Sequence, residues 1–160
     1  MSTYRPSSKP VFTFTKPPRI ALLVSRFNDE ITHGLREGAI EWLKEHNISV
    51  PAENIMEAPG AFELPLLAQT LAKSGLYDGI ICLGCVIKGD TAHFEFISLG
   101  ATIGIMQASL STEIPISFGI LTTYNDAQAL VRSRKDEHNK GREAAAACVE
   151  SLHFIQKNKK

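Results

Sequence analysis

A short polar segment, KGDTAH at residues 88–93, carries the residues of this sequence best suited to proton transfer beside a bound anion. It separates an apolar run from a predicted helix, and the free N–H groups of a helix N-terminus bind anions with help from the helix dipole. That N-terminus disfavours the imidazolium form of His93, whereas a bound phosphate favours it, so this histidine is suited to moving protons. In a simpler alternative, Asp90 or Thr91 caps the helix and the segment is only a capping turn.

A second polar segment, PGAFE at residues 59–63, has the composition of a ligand-binding turn. Gly60 allows a ligand to approach the backbone closely, and Ala61 and Phe62 offer main-chain N–H groups. The Glu63 carboxylate can accept hydrogen bonds from hydroxyl groups. Its alternative role is that of an acidic residue in the first turn of a helix, where the helix dipole favours it.

Two further segments supply an aromatic ring and a group of cations. Phe27, in RFND at 26–29, directly follows an apolar run and is either a lid on the core or a stacking surface for a planar ligand. The cations of a late charged segment form either a solvated linker or part of an anion site: Arg132, Arg134, Lys135 and Lys140. The other histidines are predicted to be solvated on or beside helical faces: His33, His46, His138 and His153.

Composition argues against several classes of protein. The chain has 160 residues, enough for one domain with a full core, and its formal net charge of zero argues against a nucleic-acid-binding protein. No apolar run approaches the roughly 20 residues that span a bilayer, so no membrane partner is predicted. The sequence also contains no P-loop, no GxGxxG after the first predicted strand, no GxSxG and no spaced group of metal ligands.

The cysteines are predicted to be structural. Cys82 and Cys85 form a C-x-x-C pattern inside an apolar strand, where alternation places them on opposite faces and no helix begins between them as a redox motif requires. We therefore expect buried, reduced thiols and a cytoplasmic protein.

The chain divides into three parts. Residues 1–18 form an N-terminal arm, whose four prolines forbid a helix and whose VFTFT segment (11–15) alternates like a strand. A lone strand must pair with a sheet edge, of its own chain or of a neighbour. Residues 19–156 are predicted to form a single domain, and residues 157–160 a basic tail.

Hydrophobic patterning predicts an α/β fold for that domain. Strands are expected at 20–25, 54–58, 77–87 and 115–123, and helices at 29–46, 60–75, 93–108, 125–134 and 140–155. Such alternation builds βαβ units, which form a parallel sheet with helices on both faces. Ligands bind such sheets at the carboxyl ends of the strands, which is where the polar segments lie.

The segments RFND, PGAFELP, GCVIKGDTAHFEF and SFGILTT, followed by NKG at 139–141, resemble the lumazine synthase family in order and approximate spacing. The resemblance covers about residues 18–155. It implies a flavodoxin-like three-layer αβα sandwich with a four-stranded parallel sheet, and an N-terminal arm that adds a strand to a neighbouring subunit. It also implies pentamers, which assemble into an icosahedral shell in many members, with active sites between adjacent subunits.

The resemblance implies an enzyme that condenses 5-amino-6-(D-ribitylamino)uracil with 3,4-dihydroxy-2-butanone 4-phosphate in the penultimate step of riboflavin biosynthesis. It implies no cofactor and no metal, and His93 would transfer protons. The implied pyrimidine and ribityl contacts are Phe27, Asn28, Ala61, Phe62, Glu63, Val86, Ile87, Lys88 and, from the adjacent subunit, Phe118. The implied phosphate contacts are Gly89, Asp90, Thr91, Arg132 and Lys140.

This chain departs from the family pattern in the late charged segment. Many shell-forming members have a glycine- and alanine-rich stretch there, whereas this chain has SRKDEHNKG at 133–141. The phosphate ligand is therefore Arg132, preferred by its spacing to NKG, or Arg134, and a pentamer, a decamer and a shell all remain open. Two other functions also remain open: a non-catalytic flavin- or lumazine-binding assembly protein, and a flavodoxin-like enzyme acting on a phosphosugar. Riboflavin synthase is a candidate protein partner.

Overall fold

The computed structural model describes residues 11–159. Its strands are β1 (Ile20–Ser25), β2 (Ile55–Ala58), β3 (Gly79–Ile87) and β4 (Ile116–Thr123). Its helices are α1 (Asp29–Glu45), α2 (Leu64–Lys73), α3 (His93–Thr112), α4 (Asp126–Ser133) and α5 (Lys140–Asn158), and a 3-10 turn covers Ala52–Asn54. None of the helices within the described range is long and apolar enough to cross a membrane.

All four strands run parallel in one sheet of order β2-β1-β3-β4. Side chains of β1 alternate between two hydrophobic clusters. Ile20, Leu22 and Val24 pack with α1, α4 and α5, whereas Ala21 and Leu23 pack with α2 and α3. Every residue of β1 is buried, as a strand covered on both faces requires. The predicted three-layer αβα sandwich is therefore confirmed.

The cysteines occupy the positions that strand alternation predicts. Cys82 belongs to the cluster of α2 and α3, and Cys85 belongs to the opposite cluster together with Cys148 of α5. All three are free and buried. Burial raises the pKa of each thiol, that of Cys85 to about 11 and that of Cys148 to about 12. The thiols are therefore protonated near neutral pH and are not activated nucleophiles.

The described part of the N-terminal arm packs on helices of its own chain. Phe12 contacts Trp42 of α1 and His153 of α5, and Phe14 contacts His153 as well. Residues 11–15 form no strand within the chain, so pairing of this segment with a neighbouring subunit stays a prediction. Residues 1–10 of the predicted arm lie outside the described residues.

Two histidines predicted to be solvated are half-buried instead. His46 stacks on Trp42, with ring centroids 3.8 Å apart and an interplanar angle of 22°, and its Nδ1 lies 2.8 Å from the Trp42 carbonyl oxygen. Phe12 covers both His46 and His153. The prediction was wrong for His46 and His153 because helical periodicity describes only the faces of a helix. It does not predict that the N-terminal arm packs over those faces. His33 and His138 are exposed, as predicted.

Arg19 and Asp78 join the chain segments that lead into β1 and β3. The Arg19 guanidinium donates to both carboxylate oxygens of Asp78, from Nε at 3.1 Å and from Nη2 at 2.9 Å. Backbone hydrogen bonds reinforce the pair, since the Arg19 N–H donates to the carboxylate and the Asp78 N–H donates to the Arg19 carbonyl, both at 2.8 Å. These hydrogen bonds from Arg19 hold the pKa of Asp78 below its usual value.

Replacing Asp78 with asparagine (Asp78→Asn) should lower the free energy of unfolding near neutral pH by about 0.5–1 kcal/mol, because the pair is partly exposed. The pKa of Asp78 is lower in the folded chain than in the unfolded chain. Its contribution is thus fully present above about pH 5 and is lost as the pH falls through the folded-state pKa.

Urea unfolding at neutral pH and at about pH 3 measures this difference between the two proteins, which should shrink at the lower pH. The control is Glu150→Gln, at an exposed acid of α5, which should change the free energy by less than about 0.5 kcal/mol. A deficit of the Asp78 variant that is equally large at both pH values would contradict the ionic contribution.

Candidate active site

The carboxyl ends of β1 and β3 open into a cleft of about 400 Å³. The cleft is formed by the residues after β1, the turn after β2, the end of β3 and the first turns of α3. Its lining residues are Phe27, Asn28, Gly60, Ala61, Phe62, Glu63, Cys85, Val86, Ile87, His93 and Ile97. Three of the polar segments that the sequence singles out therefore meet within one chain.

The cleft exists because β3 extends beyond the end of its neighbour β1. Pairing of these strands ends with Val24 opposite Leu83, while β3 continues to Ile87 in register with β4. Backbone polar groups of a strand point alternately to its two neighbours. The Cys85 carbonyl points to the side that β1 has left, where the Asn28 side-chain amide donates to it at 3.0 Å. Ile87, two residues later, points its backbone groups to the same side and can offer them to a ligand.

The residues directly after β1 turn sharply into α1. Asn28 has φ 57° and ψ 54°, a left-handed conformation that asparagine tolerates better than most residues. Its carbonyl accepts hydrogen bonds from the N–H groups of Ile31 and Thr32, both at 3.0 Å, and so begins the helix. The turn leaves Phe27 69% exposed. Phe27 is therefore not a lid on the core, and its ring is available for stacking on a planar ligand.

The turn after β2 lies directly against Phe27. A Cβ atom on Gly60 would approach the Phe27 ring to 3.2 Å and the Glu63 carboxylate to 3.1 Å, so glycine is what allows these groups to lie this close. The predicted start of α2 at residue 60 was wrong, because α2 begins at Leu64 and Ala61–Glu63 form a turn. The N–H groups of such a turn precede the helix and have no intrahelical acceptors.

The loop after β3 is exposed and anchored at its start. Lys88 donates its backbone N–H to the Thr123 carbonyl at the end of β4, at 2.8 Å. Residues 88–92 are exposed, and a Cβ atom added to Gly89 would meet nothing within 4 Å. The loop therefore borders open space that a charged group of a ligand can enter.

Helix α3 begins at His93, and one side chain of the preceding loop bonds its first turn. The Thr91 hydroxyl accepts from the His93 N–H at 3.4 Å, and Ala92 supplies no side-chain cap. Of the two predicted capping residues, Asp90 and Thr91, it is Thr91 that contacts the start of α3. N–H groups of an α-helical first turn beside an exposed imidazole suit the binding of an anion.

A cation and an aromatic ring flank the loop. The Lys88 ammonium lies 3.1 Å from a carboxylate oxygen of Glu95 and 5.6 Å from the ring centroid of Tyr124. Tyr124 lies 6.2 Å from the Phe94 ring. Hydrogen bonds from its own backbone N–H and from Lys88 lower the pKa of Glu95. Lys88 is therefore held beside the first turn of α3, although it does not line the cleft itself.

Besides residues 88–91 of the loop, three residues predicted for the site do not line the cleft of their own chain. Phe118, on the edge strand β4, is 41% exposed and lines a separate groove of about 750 Å³ between β4, α3 and α5. Arg132 donates from Nη1 to the Gln128 carbonyl at 2.8 Å. Lys140 pairs with Glu143 at 2.6 Å. The cleft of one chain therefore lacks these three predicted residues.

Two cleft residues were not predicted. Ile97 lies one helical turn after His93, so the i,i+4 spacing of α3 was the signal that could have identified it. The Cys85 backbone carbonyl accepts a hydrogen bond from the Asn28 side chain, whereas the C-x-x-C pattern in the sequence concerns only its thiol. Among residues 11–159, no group of three or more histidine, cysteine, aspartate or glutamate side chains could hold a metal ion.

Comparison with known proteins places this chain in one family. The family model for 6,7-dimethyl-8-ribityllumazine synthase matches residues 17–156. The chain is 60% identical over 141 residues to 6,7-dimethyl-8-ribityllumazine synthase 1 of Caulobacter vibrioides, covering 88% of this chain and 92% of that protein. It is 45% identical over 139 residues to the Salinibacter ruber enzyme of that name, covering 87% and 89%. It is 48% identical over 138 residues to the Chlorobium chlorochromatii enzyme, covering 86% and 89%.

The strand-end segments that form the cleft all fall within the matched region, and the match extends over most of the chain and most of each relative. This chain belongs to the 6,7-dimethyl-8-ribityllumazine synthase family.

Proposed function

We propose that the cleft at the carboxyl ends of β1 and β3 is where this chain forms 6,7-dimethyl-8-ribityllumazine. The chain is a lumazine synthase, a transferase of riboflavin biosynthesis that condenses 5-amino-6-(D-ribitylamino)uracil with 3,4-dihydroxy-2-butanone 4-phosphate and releases phosphate and water. The observation that supports this location is the convergence of an exposed aromatic ring, a glycine-containing turn, unpaired strand backbone and a histidine in one cavity.

The pyrimidine substrate would occupy the part of the cleft beside Phe27. Its flat ring stacks on Phe27, whose exposed face suits that role. The uracil edge bonds the backbone at the end of β3, where Ile87 has no β1 partner. The ribityl hydroxyls bond Asn28, the turn N–H groups of Ala61 and Phe62, and the Glu63 carboxylate.

The phosphate of the second substrate would lie beside the exposed loop that precedes α3. Gly89, Asp90 and Thr91 supply backbone N–H groups there, and the α3 dipole favours an anion. Arg132 and Lys140 add positive charge. Hydrogen bonds between a cation and a phosphate are among the stronger ones, and a planar guanidinium can bind two phosphate oxygens. The loop is open enough for such an approach from outside its own chain.

The reaction requires proton transfers and good placement more than an activated nucleophile. The ring amine of the pyrimidine is weakly basic and therefore unprotonated at neutral pH, so it attacks the ketone directly. The carbinolamine loses water to give an imine, and loss of a carbon-bound proton and of phosphate then gives an enol. The enol tautomerises to a ketone, which the ribitylamino nitrogen attacks to close the second ring with loss of water. His93 is positioned to carry the protons. Holding both substrates together supplies much of the rate.

Self-association would complete the site. Phe118, Arg132 and Lys140 lie outside the cleft of their own chain, so we assign them to the cleft of an adjacent subunit. The outer face of α3 supports association, because large apolar side chains remain exposed along it. These are Phe96, Leu99, Ile103, Met106 and Leu110. An apolar helix face of this extent is typical of an interface, and a pentamer is the assembly that we propose.

Replacing His93 with alanine (His93→Ala) should reduce kcat by about 100-fold or less, because acid–base help is worth about 10²–10⁴ and substrate placement remains. Formation of lumazine from both substrates, followed by fluorescence above the uncatalysed rate, measures this effect. The control is His33→Ala, at an exposed histidine of α1, which should leave kcat unchanged. Unchanged turnover in the His93 variant would remove it from this role.

No acceleration by the unaltered protein, with the pyrimidine still bound tightly, would favour the non-catalytic alternative.

Replacing Arg132 with alanine (Arg132→Ala) should raise the KM for the phosphate substrate by about 10- to 100-fold, since a hydrogen bond to a charged group is worth about 1.5–3 kcal/mol. The KM for the pyrimidine should hardly change. Arg134→Ala is the matched comparison, one residue beyond the end of α4. Steady-state kinetics with each substrate varied in turn separate the two. A larger effect at Arg134 would transfer the phosphate contact to that residue.

Mixing two impaired variants tests whether the site is shared. If His93 and Arg132 come from adjacent subunits, co-expression of His93→Ala with Arg132→Ala chains restores intact sites at about a quarter of the interfaces of a random assembly. At a concentration of the phosphate substrate well below the KM of the Arg132→Ala protein, the specific activity of purified mixed assemblies should then clearly exceed that of either variant alone. Mixed assemblies no more active than the average of the two parents would show that both residues act within one chain.

A further inference from the structure

Asn139 is the one polar residue among the largest fully buried side chains of the described chain, with no exposed surface. A buried amide without partners would cost stability, so its hydrogen bonds indicate its role. The Nδ2 group donates to three backbone carbonyls at the end of α4 and in α1. The acceptors are Ser133 at 2.9 Å, Arg134 at 2.9 Å and Gly34 at 3.0 Å.

The other end of the same amide begins α5. The Asn139 Oδ1 accepts hydrogen bonds from the N–H groups of Gly141 at 2.8 Å and Arg142 at 3.3 Å. Both N–H groups lie in the first turn of the helix, where the Gly141 N–H has no intrahelical acceptor and the Arg142 N–H also donates to the Asn139 backbone carbonyl at 3.1 Å. One side chain therefore caps the start of α5, holds the end of α4 and ties both to α1.

Glycines provide the space that this arrangement needs. A Cβ atom on Gly38 would overlap the Asn139 amide, and a Cβ atom on Gly141 would overlap the Leu35 carbonyl. Likewise, a Cβ atom on Gly34 would overlap the Ser133 carbonyl. The close approach of α1 to both ends of the late charged segment thus fixes the Asn139 amide in one position.

The two cations assigned to the phosphate flank this network. Arg132 immediately precedes Ser133, and Lys140 immediately follows Asn139. Residues 134–138, which lie between the two cations, are exposed. The buried Asn139 amide therefore constrains the distance between Arg132 and Lys140 more than this loop does. Lys140 also lies in the first turn of α5, where the helix dipole disfavours a cation. Its ion pair with Glu143, at i,i+3 in the same helix, offsets that effect.

We propose that Asn139 is a positioning residue, which sets the placement of Arg132 and Lys140 for the substrate phosphate. This inference rests on the proposed function of those two cations. The amide contacts neither substrate, and it acts through the backbone at the end of α4 and the start of α5. Small displacements of groups that hold a substrate reduce rates strongly.

Asn139→Asp tests the role, because aspartate keeps an oxygen that caps α5 and loses the donors to α4 and α1. The KM for 3,4-dihydroxy-2-butanone 4-phosphate should rise about tenfold, with the pyrimidine KM unchanged, since a network hydrogen bond is worth about 1.5 kcal/mol. Inorganic phosphate, used as a competitive inhibitor, should bind more weakly by a similar factor. The control is Leu152→Ala, a buried position further along α5, which should lower Tm without a phosphate-specific change.

The outcomes separate this inference from the proposed function. A normal phosphate KM in Asn139→Asp, with a raised one in Arg132→Ala, would overturn the inference alone. A normal phosphate KM in Arg132→Ala as well would overturn the phosphate assignment and the inference together. Equal changes in both substrate constants, or only the effects seen in Leu152→Ala, would identify Asn139 as structural. Asn139→Ser is the second variant if aspartate prevents folding, and failure of both to fold would also overturn the positioning role.

Discussion

The extension of β3 beyond β1 is the constraint on which the cleft depends. Where β1 ends, the chain turns into α1 through Asn28, which has a left-handed backbone conformation. The side-chain amide of Asn28 donates to the Cys85 carbonyl, which has no partner on β1. The remaining backbone of β3 stays in register with β4 on one side only. Unpaired backbone groups at the end of a buried strand must bond something, and a heterocyclic ligand with donors and acceptors on its edge meets that need.

The two helical layers carry different parts of the chemistry. Helix α3, the loop before it and the turn before α2 carry His93, Phe62 and the segment that we propose binds the phosphate. Helices α4 and α5 carry the cations, which lie outside the cleft of their own chain. Helix α3 exposes large apolar side chains along one face and buries only Ala101, Ile105 and Ala108 within the chain. That exposed apolar face suits contact with a second chain, as the proposed self-association requires.

The physical demands of the reaction agree with the groups that the cleft offers. Its one cysteine, Cys85, has a pKa raised to about 11 by burial and contributes a carbonyl oxygen instead of a thiolate. In the proposed mechanism, proton transfer at His93 and the placement of two substrates are the contributions that remain. An enzyme of this kind depends on the accuracy with which segments distant in sequence are held, and Asn139, which bonds a carbonyl 105 residues away, is the clearest example.

Local patterns in the sequence determined the alternation of strands and helices, the opposite faces of Cys82 and Cys85, and the strand ends at which the cleft-lining residues occur. Periodicity and turn chemistry are properties of neighbouring residues, so they can be read without a structure. Tertiary structure alone decided that Phe27 is exposed, that α2 begins at Leu64, and that the arm covers two histidines. It also decided that Arg132 and Lys140 lie away from their own cleft. Each of these outcomes depends on packing between segments far apart in the chain. The periodicity of one segment does not predict which other segment will pack against it.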